Sequence, residues 1–161
     1  MNATAERHLA QFNVGRLTHP VDAPEVAEFV DALARVNEIA ERTPGFEWRL
    51  KDETSGGAID IRPDPEDAQQ AVNLSVWSSV EAFESFVWRT VHARFYRRRG
   101  EWFETHETPH FVMWWVAPGH RPSLEAAMAR LEDLRANGPS ERAFGWESLP
   151  KARLWREARC A

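Results

Sequence analysis

The sequence predicts an α+β protein in which helices cover one face of a four-stranded antiparallel sheet. Three observations support this fold class. Short segments alternate apolar and polar residues with the period of two that is typical of strands, and longer segments repeat apolar residues at three- and four-residue steps, as amphipathic helices do. The segments follow one another as β-α-β-β-α-β, and an extra helix comes after the fourth strand. This order is the split β-α-β pattern, also called the ferredoxin-like fold.

The length and charge of the chain exclude several classes of protein. The chain has 161 residues, with 20 Lys and Arg against 25 Asp and Glu, so its net charge is −5. A domain of this size buries enough surface to be stable without disulfides or a structural metal. Cys160 is the only cysteine, which excludes a disulfide scaffold and a cysteine-ligated zinc site and favours a cytoplasmic setting. The longest apolar run, residues 111–117, is far shorter than the about 20 residues that span a bilayer, so we expect no membrane span.

The first half of the chain contains the first two strands and the first helix. Residues 9–17 alternate and form the first strand. Residues 26–40 place their apolar side chains on one stripe, as a helix packed on a sheet requires. Residues 46–50 alternate again and form the second strand, and residues 58–62 are expected to continue extended.

The next strand and helix follow a loop rich in proline and charge. Residues 72–77 alternate and form the third strand. Ser78 and Glu81 have the spacing of a capping box and predict the start of the second helix. We expect this helix to cover residues 80–103, with a kink near Gly100.

The last predicted elements are one strand and one helix. Residues 111–116 are apolar on both faces, which predicts a central strand covered on both sides. Ser123 caps the final helix, and Gly138 ends it. Residues 139–161 have weak periodicity and mixed charge, and we assign no element to them. We expect one domain over residues 1–145, followed by a tail at residues 146–161.

The predicted sheet has apolar or aromatic residues on both faces, although the helices of a split β-α-β fold cover one face only. An uncovered apolar sheet face must be buried against something. A face-to-face homodimer would bury it, and we expect one.

Several motifs resemble those of known proteins. A third strand that ends in Trp77 and is followed at once by a capped helix resembles the dimeric α/β-barrel superfamily, which includes relatives of antibiotic-biosynthesis monooxygenases. Four further motifs resemble a bacterial family of unassigned function within it. They are IDIRP at 59–63, VNLSVW at 72–77, RRRGEWF at 97–103 and WWVAPGHRP at 114–122. Relatives in this superfamily include cofactor-independent monooxygenases that act on aromatic polyketides, haem-binding and haem-degrading proteins, chlorite-decomposing haem enzymes and aldoxime dehydratases, so the fold alone does not select a reaction.

The resemblance implies a ligand pocket between the sheet and the helices, bordered by the third strand. Asn73, Ser75 and Trp77 are two residues apart and project to one face. Asn73 and Trp77 resemble the pair that holds substrate oxygens in the cofactor-independent monooxygenases, where fixed donors stabilise developing negative charge. The alternative is that Asn73 satisfies a backbone group and Trp77 fills the core.

His92 comes one position after Val91, which lies on the apolar stripe of the second predicted helix. A neutral imidazole at the pocket would serve as a general base or as an axial haem ligand. The alternative is a structural histidine bonded to a carboxylate or backbone group. If His92 is a general base, we expect no cofactor. If it is an axial ligand, the cofactor is haem.

The remaining candidate ligand contacts are charged or aromatic. Asp60 and Arg62 flank one residue and point the same way, so they could hold a carboxylate, although an ion pair that ties the loop is the simpler interpretation. The arginines at positions 94 and 97–99 are expected to form ion pairs with Glu101, Glu104 or a partner subunit, with Arg98 a candidate contact for an anionic ligand. Because the chain is acidic and these arginines surround the helix, we expect no nucleic-acid partner. Aromatic candidates for the pocket wall are Trp88, Trp102 and Trp114.

A metal site is not expected. His106 and His110 have a spacing that suits metal only on a helix, and Pro109 between them favours a turn. The hypothesis that we favour is a homodimer with an aromatic-lined pocket for a planar oxygenated small molecule, and the resemblance implies that it is an enzyme with monooxygenase-like chemistry. The alternatives are a haem protein that uses His92 and a homodimer that binds a ligand or is structural without catalysis.

Overall fold

The computed structural model describes residues 6–160, apart from the side chains of the last two, and its sheet has the ferredoxin-like topology. The four strands are antiparallel and lie in the order β2-β3-β1-β4. Their bounds are β1 His8–Arg16, β2 Phe46–Arg49, β3 Gln70–Trp77 and β4 Phe111–Val116. This order, with a helix after β1 and another after β3, confirms the predicted fold class.

Five helices and three short 3₁₀ turns connect and cover the strands. The helices are α1 Ala27–Arg42, α2 Val80–Arg89, α3 His92–Arg97, α4 Leu124–Asn137 and α5 Arg153–Cys160. The 3₁₀ turns are Pro24–Val26, Arg99–Glu101 and Trp146–Ser148. Helices α1 and α2 pack on one face of the sheet, and α4 packs on the other. No helix among residues 6–160 is long and apolar enough to cross a membrane.

The second predicted helix is interrupted at Thr90, ten residues before the predicted kink. Thr90 has an extended backbone, with φ −114° and ψ −176°. Its Oγ1 donates to the Phe86 carbonyl at 2.6 Å and accepts from the His92 N–H at 3.2 Å, so the side chain ends one helix and starts the next. Threonine bonds to the backbone in this way where a helix ends. His92 therefore begins α3.

The start of α2 also differs from the prediction by one residue. The cap is Ser79, whose Oγ accepts from the Ala82 N–H at 3.1 Å, rather than Ser78. Ser78 donates its N–H to the Gly45 carbonyl at 2.7 Å and so still belongs to the pairing between β3 and the start of β2. A capping residue must have left the strand, which Ser78 has not.

β4 is covered on both faces but is not central. It pairs with β1 on one side only. On its outer side, Met113 and Phe144 exchange two backbone hydrogen bonds of 2.8 and 3.0 Å. The apolar residues on both faces of β4 therefore reflect cover from above and below rather than two flanking strands.

The sheet face that was expected to be open is covered by α4 within the same chain. Ala127, Leu131 and Leu134 of α4 are buried against it. The sheet side chains beneath them are also buried, and they are Ala10, Phe12, Val72, Leu74, Val76, Val112, Trp114 and Val116. The premise for a face-to-face homodimer, an uncovered apolar face, is therefore wrong, and the homodimer itself stays a prediction.

Residues after 138, which the sequence left unplaced, are folded onto the domain. Phe144 pairs with β4, and the Trp146 ring stacks on Phe83 of α2 with centroids 5.1 Å apart. Leu149 and Ala152 are buried in the same apolar cluster as α2. Contacts therefore continue across the boundary drawn after residue 145.

Glu84 fixes α5 to α2, and its loss is expected to release the helix. The side chain is buried, and one carboxylate oxygen accepts from the N–H groups of Leu154 and Trp155 at 2.9 and 3.3 Å. Glu84→Ala leaves these donors without their acceptor and should lower the free energy of unfolding by about 2 kcal/mol. Urea unfolding checks the stability, and trypsin cleavage after Arg153 checks the release of α5.

A matched control is Glu81→Ala, since Glu81 is exposed on the same helix. We expect this variant to lose less than half as much stability as Glu84→Ala and to keep the wild-type cleavage pattern. Equal protection of α5 in both variants would contradict the role given to Glu84.

Candidate functional site

A row of polar side chains crosses the sheet face beneath α1 and α2. Gln11 and Asn13 of β1 lie directly opposite Ser75 and Asn73 of β3. We call these four residues the polar row. Gln11 and Ser75 are buried, Asn13 is half-buried and Asn73 is exposed. The row therefore runs from the core to solvent.

Hydrogen bonds fix the orientation of each group in the polar row. The Gln11 amide nitrogen donates to Asn73 Oδ1 and, at 2.7 Å, to Ser75 Oγ. The Asn13 amide nitrogen donates to Gln11 Oε1 at 3.2 Å. Because Asn73 accepts through its oxygen, its own amide N–H groups stay available, and the exposed side chain can offer them to a ligand.

Trp77 lies at the buried end of the polar row and donates a hydrogen bond to it. The side chain is fully buried, and its indole N–H donates to Ser75 Oγ at 2.9 Å. Its ring packs against Phe46, Phe83 and Phe86, with centroids 5.3 to 5.6 Å apart. The indole N–H is already used, so Trp77 positions Ser75 and does not reach a ligand.

Helix α1 packs against the rest of the domain mainly through its two ends. Its first turns pack with Trp102, through Phe29, and its last turns pack with Trp77, through Ala40. Leu33, midway along the same apolar stripe, is half-buried and belongs to neither cluster. Because the middle of α1 joins neither cluster and Asn73 on the sheet is exposed, we infer open space between α1 and the polar row, which we call the α1 cleft.

Aromatic rings close the β1 end of the α1 cleft. Gly15 follows Asn13 on the same face of β1, and the Phe103 ring lies against it. A Cβ at Gly15 would come within 2.5 Å of that ring, so only glycine allows this approach. Phe29 packs edge-on against Phe103, with centroids 5.0 Å apart. The cleft is thus lined by aromatic rings at both ends.

His92 lies beyond Trp77 and carries a nitrogen suited to accept a proton. Its ring packs on Phe86, 4.9 Å between centroids, and Phe86 in turn stacks on Trp77. His92 Nδ1 lies 3.2 Å from the Val87 carbonyl oxygen. A carbonyl only accepts, so Nδ1 carries the hydrogen and the neutral ring has its lone pair on Nε2.

The environment keeps His92 neutral. Burial lowers the pKa of the His92 imidazole below its usual value near 6.5, and the hydrogen bond to the Val87 carbonyl opposes this only in part. Nε2 makes no hydrogen bond to residues 6–158. A neutral imidazole with a free lone pair is the form that a general base or an axial ligand requires.

Asp60 and Arg62 form an ion pair within their own loop. Residues 59 and 60 lie in a turn closed by a hydrogen bond from the Ile61 N–H to the Ala58 carbonyl, so the expected extension of the strand is wrong. An Arg62 nitrogen lies 3.4 Å from Asp60 Oδ1 and 3.5 Å from the Pro65 carbonyl. The pair ties the loop, as the simpler interpretation predicted.

Arg98 and Trp102 join α1 to the segment after α3. Arg98 binds both carboxylate oxygens of Glu28 at 2.7 and 2.8 Å and pairs with Glu101 at 2.7 Å. Its guanidinium lies over the Trp102 ring, 4.8 Å from the centroid, and Trp102 is buried. With both carboxylates bound, Arg98 has its charge satisfied without an anionic ligand.

The two remaining tryptophan candidates lie away from the polar row. Trp88 packs edge-on against Tyr96, and its buried Nε1 has no hydrogen-bond partner in the described part of the chain. Trp114 lies opposite Ala10, on the sheet face beneath α4. Because this is the other face of the sheet, a ligand on Asn73 cannot touch Trp114, and its assignment to the same pocket is corrected.

Residues 8–160 match the family model described as a domain of unknown function, DUF3291. The chain belongs to this family. The resemblance drawn from the sequence motifs, to a family of unassigned function, is thereby confirmed. No curated protein sequence matches the chain significantly.

Three solved structures are similar to this DUF3291 protein at low identity. A protein from Shewanella oneidensis is 9% identical with a TM-score of 0.48, over 69% of this chain and 90% of the other. SnoaB from Streptomyces nogalater, a cofactor-independent oxygenase, is 16% identical with a TM-score of 0.43, over 73% and 96%. A DABB-family protein with a ferredoxin-like fold from Mesorhizobium loti is 17% identical with a TM-score of 0.42, over 71% and 99%. The fold of the DUF3291 protein is assigned from its own strand order.

Sequence reasoning missed Gln11, Asn13 and Phe103 of the DUF3291 protein. The signal for the first two was present, since they occupy the polar side of an otherwise apolar strand. In the predicted fold β1 pairs with β3, so polar residues on both strands meet on one face. Phe103 gave no such signal, because its contact with Gly15 depends on how the chain leaves α3. No cluster of three metal-binding side chains occurs among the residues described.

Proposed function

We propose that this chain binds a small, planar, oxygenated molecule in the α1 cleft, as a cofactor-independent, monooxygenase-like oxidoreductase. The stacked rings of Trp77 and Phe86 separate His92 from Asn73, so we propose that they shift on binding and let His92 remove a proton from the ligand. His92 supports this proposal most directly, because burial and the Val87 carbonyl hold it neutral with its lone pair on Nε2. A general base must be neutral at the working pH.

Asn73 supplies the complementary group. Proton removal from a phenol or an activated CH₂ leaves negative charge on a substrate oxygen. The free amide N–H groups of Asn73 donate to this oxygen, and Gln11 holds Asn73 in place through its oxygen. Donors fixed before the reaction stabilise such charge more than mobile water does.

The redox step needs only oxygen as co-reactant. A CH₂ between aromatic rings reacts with O₂ to give C=O and one water, so the substrate supplies all four electrons. His92 takes the first proton and later returns it to the water that leaves. The aromatic ends of the cleft suit a planar ring system.

A haem protein is the second candidate, favoured by the same nitrogen. An imidazole whose Nδ1–H is bonded to a backbone carbonyl is the usual form of an axial ligand. His92 would hold the iron through Nε2, and haem would supply redox chemistry there. The polar row has no assigned part in this alternative.

A comparison of O₂ uptake by wild type and His92→Ala tests whether His92 is the general base. With a hydroxylated anthrone as the probe, we expect wild type to consume O₂ above the uncatalysed rate, measured with an oxygen electrode. His92→Ala should lower this rate by about 10²- to 10⁴-fold, the usual contribution of a general base. Because burial lowers the pKa of His92, the neutral base is lost only as pH falls through that lowered pKa, so the midpoint of the fall in the wild-type rate should lie below pH 6.5. His120→Ala is the control, since His120 is exposed in a loop.

Haemin titration separates the two candidates. A Soret shift that saturates in wild type and His120→Ala but is lost in His92→Ala would establish the haem alternative. A featureless titration together with unchanged O₂ uptake in His92→Ala would contradict both.

A further inference from the structure

A second cavity lies on the opposite face of the sheet, at the far end of β1. Its volume is about 210 Å³. Val14 of β1 and Met128 of α4 form its apolar wall, and both pack on the cluster beneath α4. Gln70, His106 and Arg135 form its polar wall. We call it the β1–α4 cavity.

A cavity of about 210 Å³ is below the range of about 300–1,000 Å³ typical of drug-sized ligands, so it suits a small molecule only.

Three hydrogen-bond donors at the β1–α4 cavity lack partners among the described residues. Arg135 uses Nε for the Pro109 carbonyl at 2.8 Å and one Nη for Glu132 at 2.7 Å, which leaves its other Nη. Gln70 accepts through Oε1 from the Asp64 N–H at 3.0 Å, which leaves its amide nitrogen. His106 Nε2 is buried with no partner. A buried polar atom without a partner is costly, so such atoms often mark a ligand or water position.

Arg16 also borders the cavity, but each of its three guanidinium nitrogens already has a partner in the chain. Its nitrogens lie 2.6 Å from Asp67, 3.3 Å from Gln69 and 3.6 Å from Glu104. Its charge is therefore balanced within the chain, and the donors left for a ligand are those of Arg135, Gln70 and His106.

The charges around the cavity favour an anion. His110 stacks on His106 with centroids 4.9 Å apart. Burial lowers the pKa of His110, and the positive charges of His106, Arg99 and Arg135 lower it further. Cations that disfavour protonation of one histidine also attract a negative group.

We propose that the β1–α4 cavity binds a small carboxylate that carries a short apolar group. The carboxylate accepts hydrogen bonds from Arg135, Gln70 and His106. Hydrogen bonds to an ionised group are stronger than those between neutral groups, which favours a carboxylate here. The apolar group lies on Val14 and Met128. This site is independent of the α1 cleft, because the sheet separates the two.

Amide NMR spectra of the ¹⁵N-labelled full chain test the proposal at constant pH and ionic strength. Sodium benzoate is the probe, with benzamide as its uncharged counterpart and inorganic phosphate as an anion without an apolar group. We expect benzoate to shift the amides of Gln70, His106 and Met128 in a saturable manner, and the other two compounds to bind at least about tenfold more weakly.

Variants assign the contacts. His106→Leu and Arg135→Gln should each weaken benzoate binding about tenfold or more, as the loss of a charge-assisted hydrogen bond implies. Arg142→Gln is the control, since Arg142 is exposed and pairs only loosely with Asp133 at 3.6 Å. If Arg135→Gln does not fold, His106→Leu still provides the test. Equal binding of benzamide or phosphate, no saturable shift, or shifts confined to the α1 cleft would overturn the proposal.

Discussion

Trp77→Ala is expected to lower the free energy of unfolding by about 3–5 kcal/mol, the usual cost of truncating a buried tryptophan. The indole is fully buried among Phe46, Phe83 and Phe86, and its loss leaves a cavity between β3 and α2. The free energy of unfolding of a domain is only about 5–15 kcal/mol, so this variant should lose a large part of it. Urea unfolding followed by circular dichroism measures the change.

Trp77→Phe separates ring packing from the hydrogen bond. Phenylalanine keeps an aromatic ring among the three phenylalanines but has no N–H for Ser75, so we expect a clearly smaller loss of stability. If both variants lose the same amount, the packing of the indole is not the main contribution of Trp77.

Leu131→Asp is expected to release α4 from the sheet and to produce larger species in solution. Leu131 is fully buried in the apolar cluster that also contains Phe12 and Trp114. An unpaired carboxylate there is strongly unfavourable, so the helix must move away or the domain must unfold. Either outcome exposes the apolar sheet face, and size-exclusion chromatography with light scattering should show association relative to wild type.

Ala129→Asp is the matched control, because Ala129 is exposed on the same helix. This variant should keep the elution volume and the unfolding midpoint of wild type within small changes. Association of Ala129→Asp to the same extent as Leu131→Asp would mean that added charge on α4, rather than loss of cover, causes it.

The sequence predicted the sheet well, because its strands alternate clearly and their order allows few topologies. It also predicted the capped start and the glycine end of α4. It did not predict which sheet face α4 covers, since an amphipathic helix after the last strand can pack on either face. The homodimer was expected only because the sheet face beneath α4 was thought to be uncovered.

The candidate site was predicted in part. Asn73 and Ser75 do lie on one face with Trp77, because strand geometry determines that directly. The break at Thr90 was not predicted, since threonine occurs both inside helices and at their ends. The aromatic residues of the last segment gave no period, because residues 139–152 contain only a short 3₁₀ turn and isolated strand pairing, so these side chains are buried individually.

The pairing of Phe144 with β4 limits how far the chain can be shortened. A version that ends before residue 144 would leave the backbone of Met113 bare along an apolar strand. Bare strand edges invite pairing between molecules, which leads to insoluble material. Shortened versions for crystallisation or fusion should therefore retain the segment through α5.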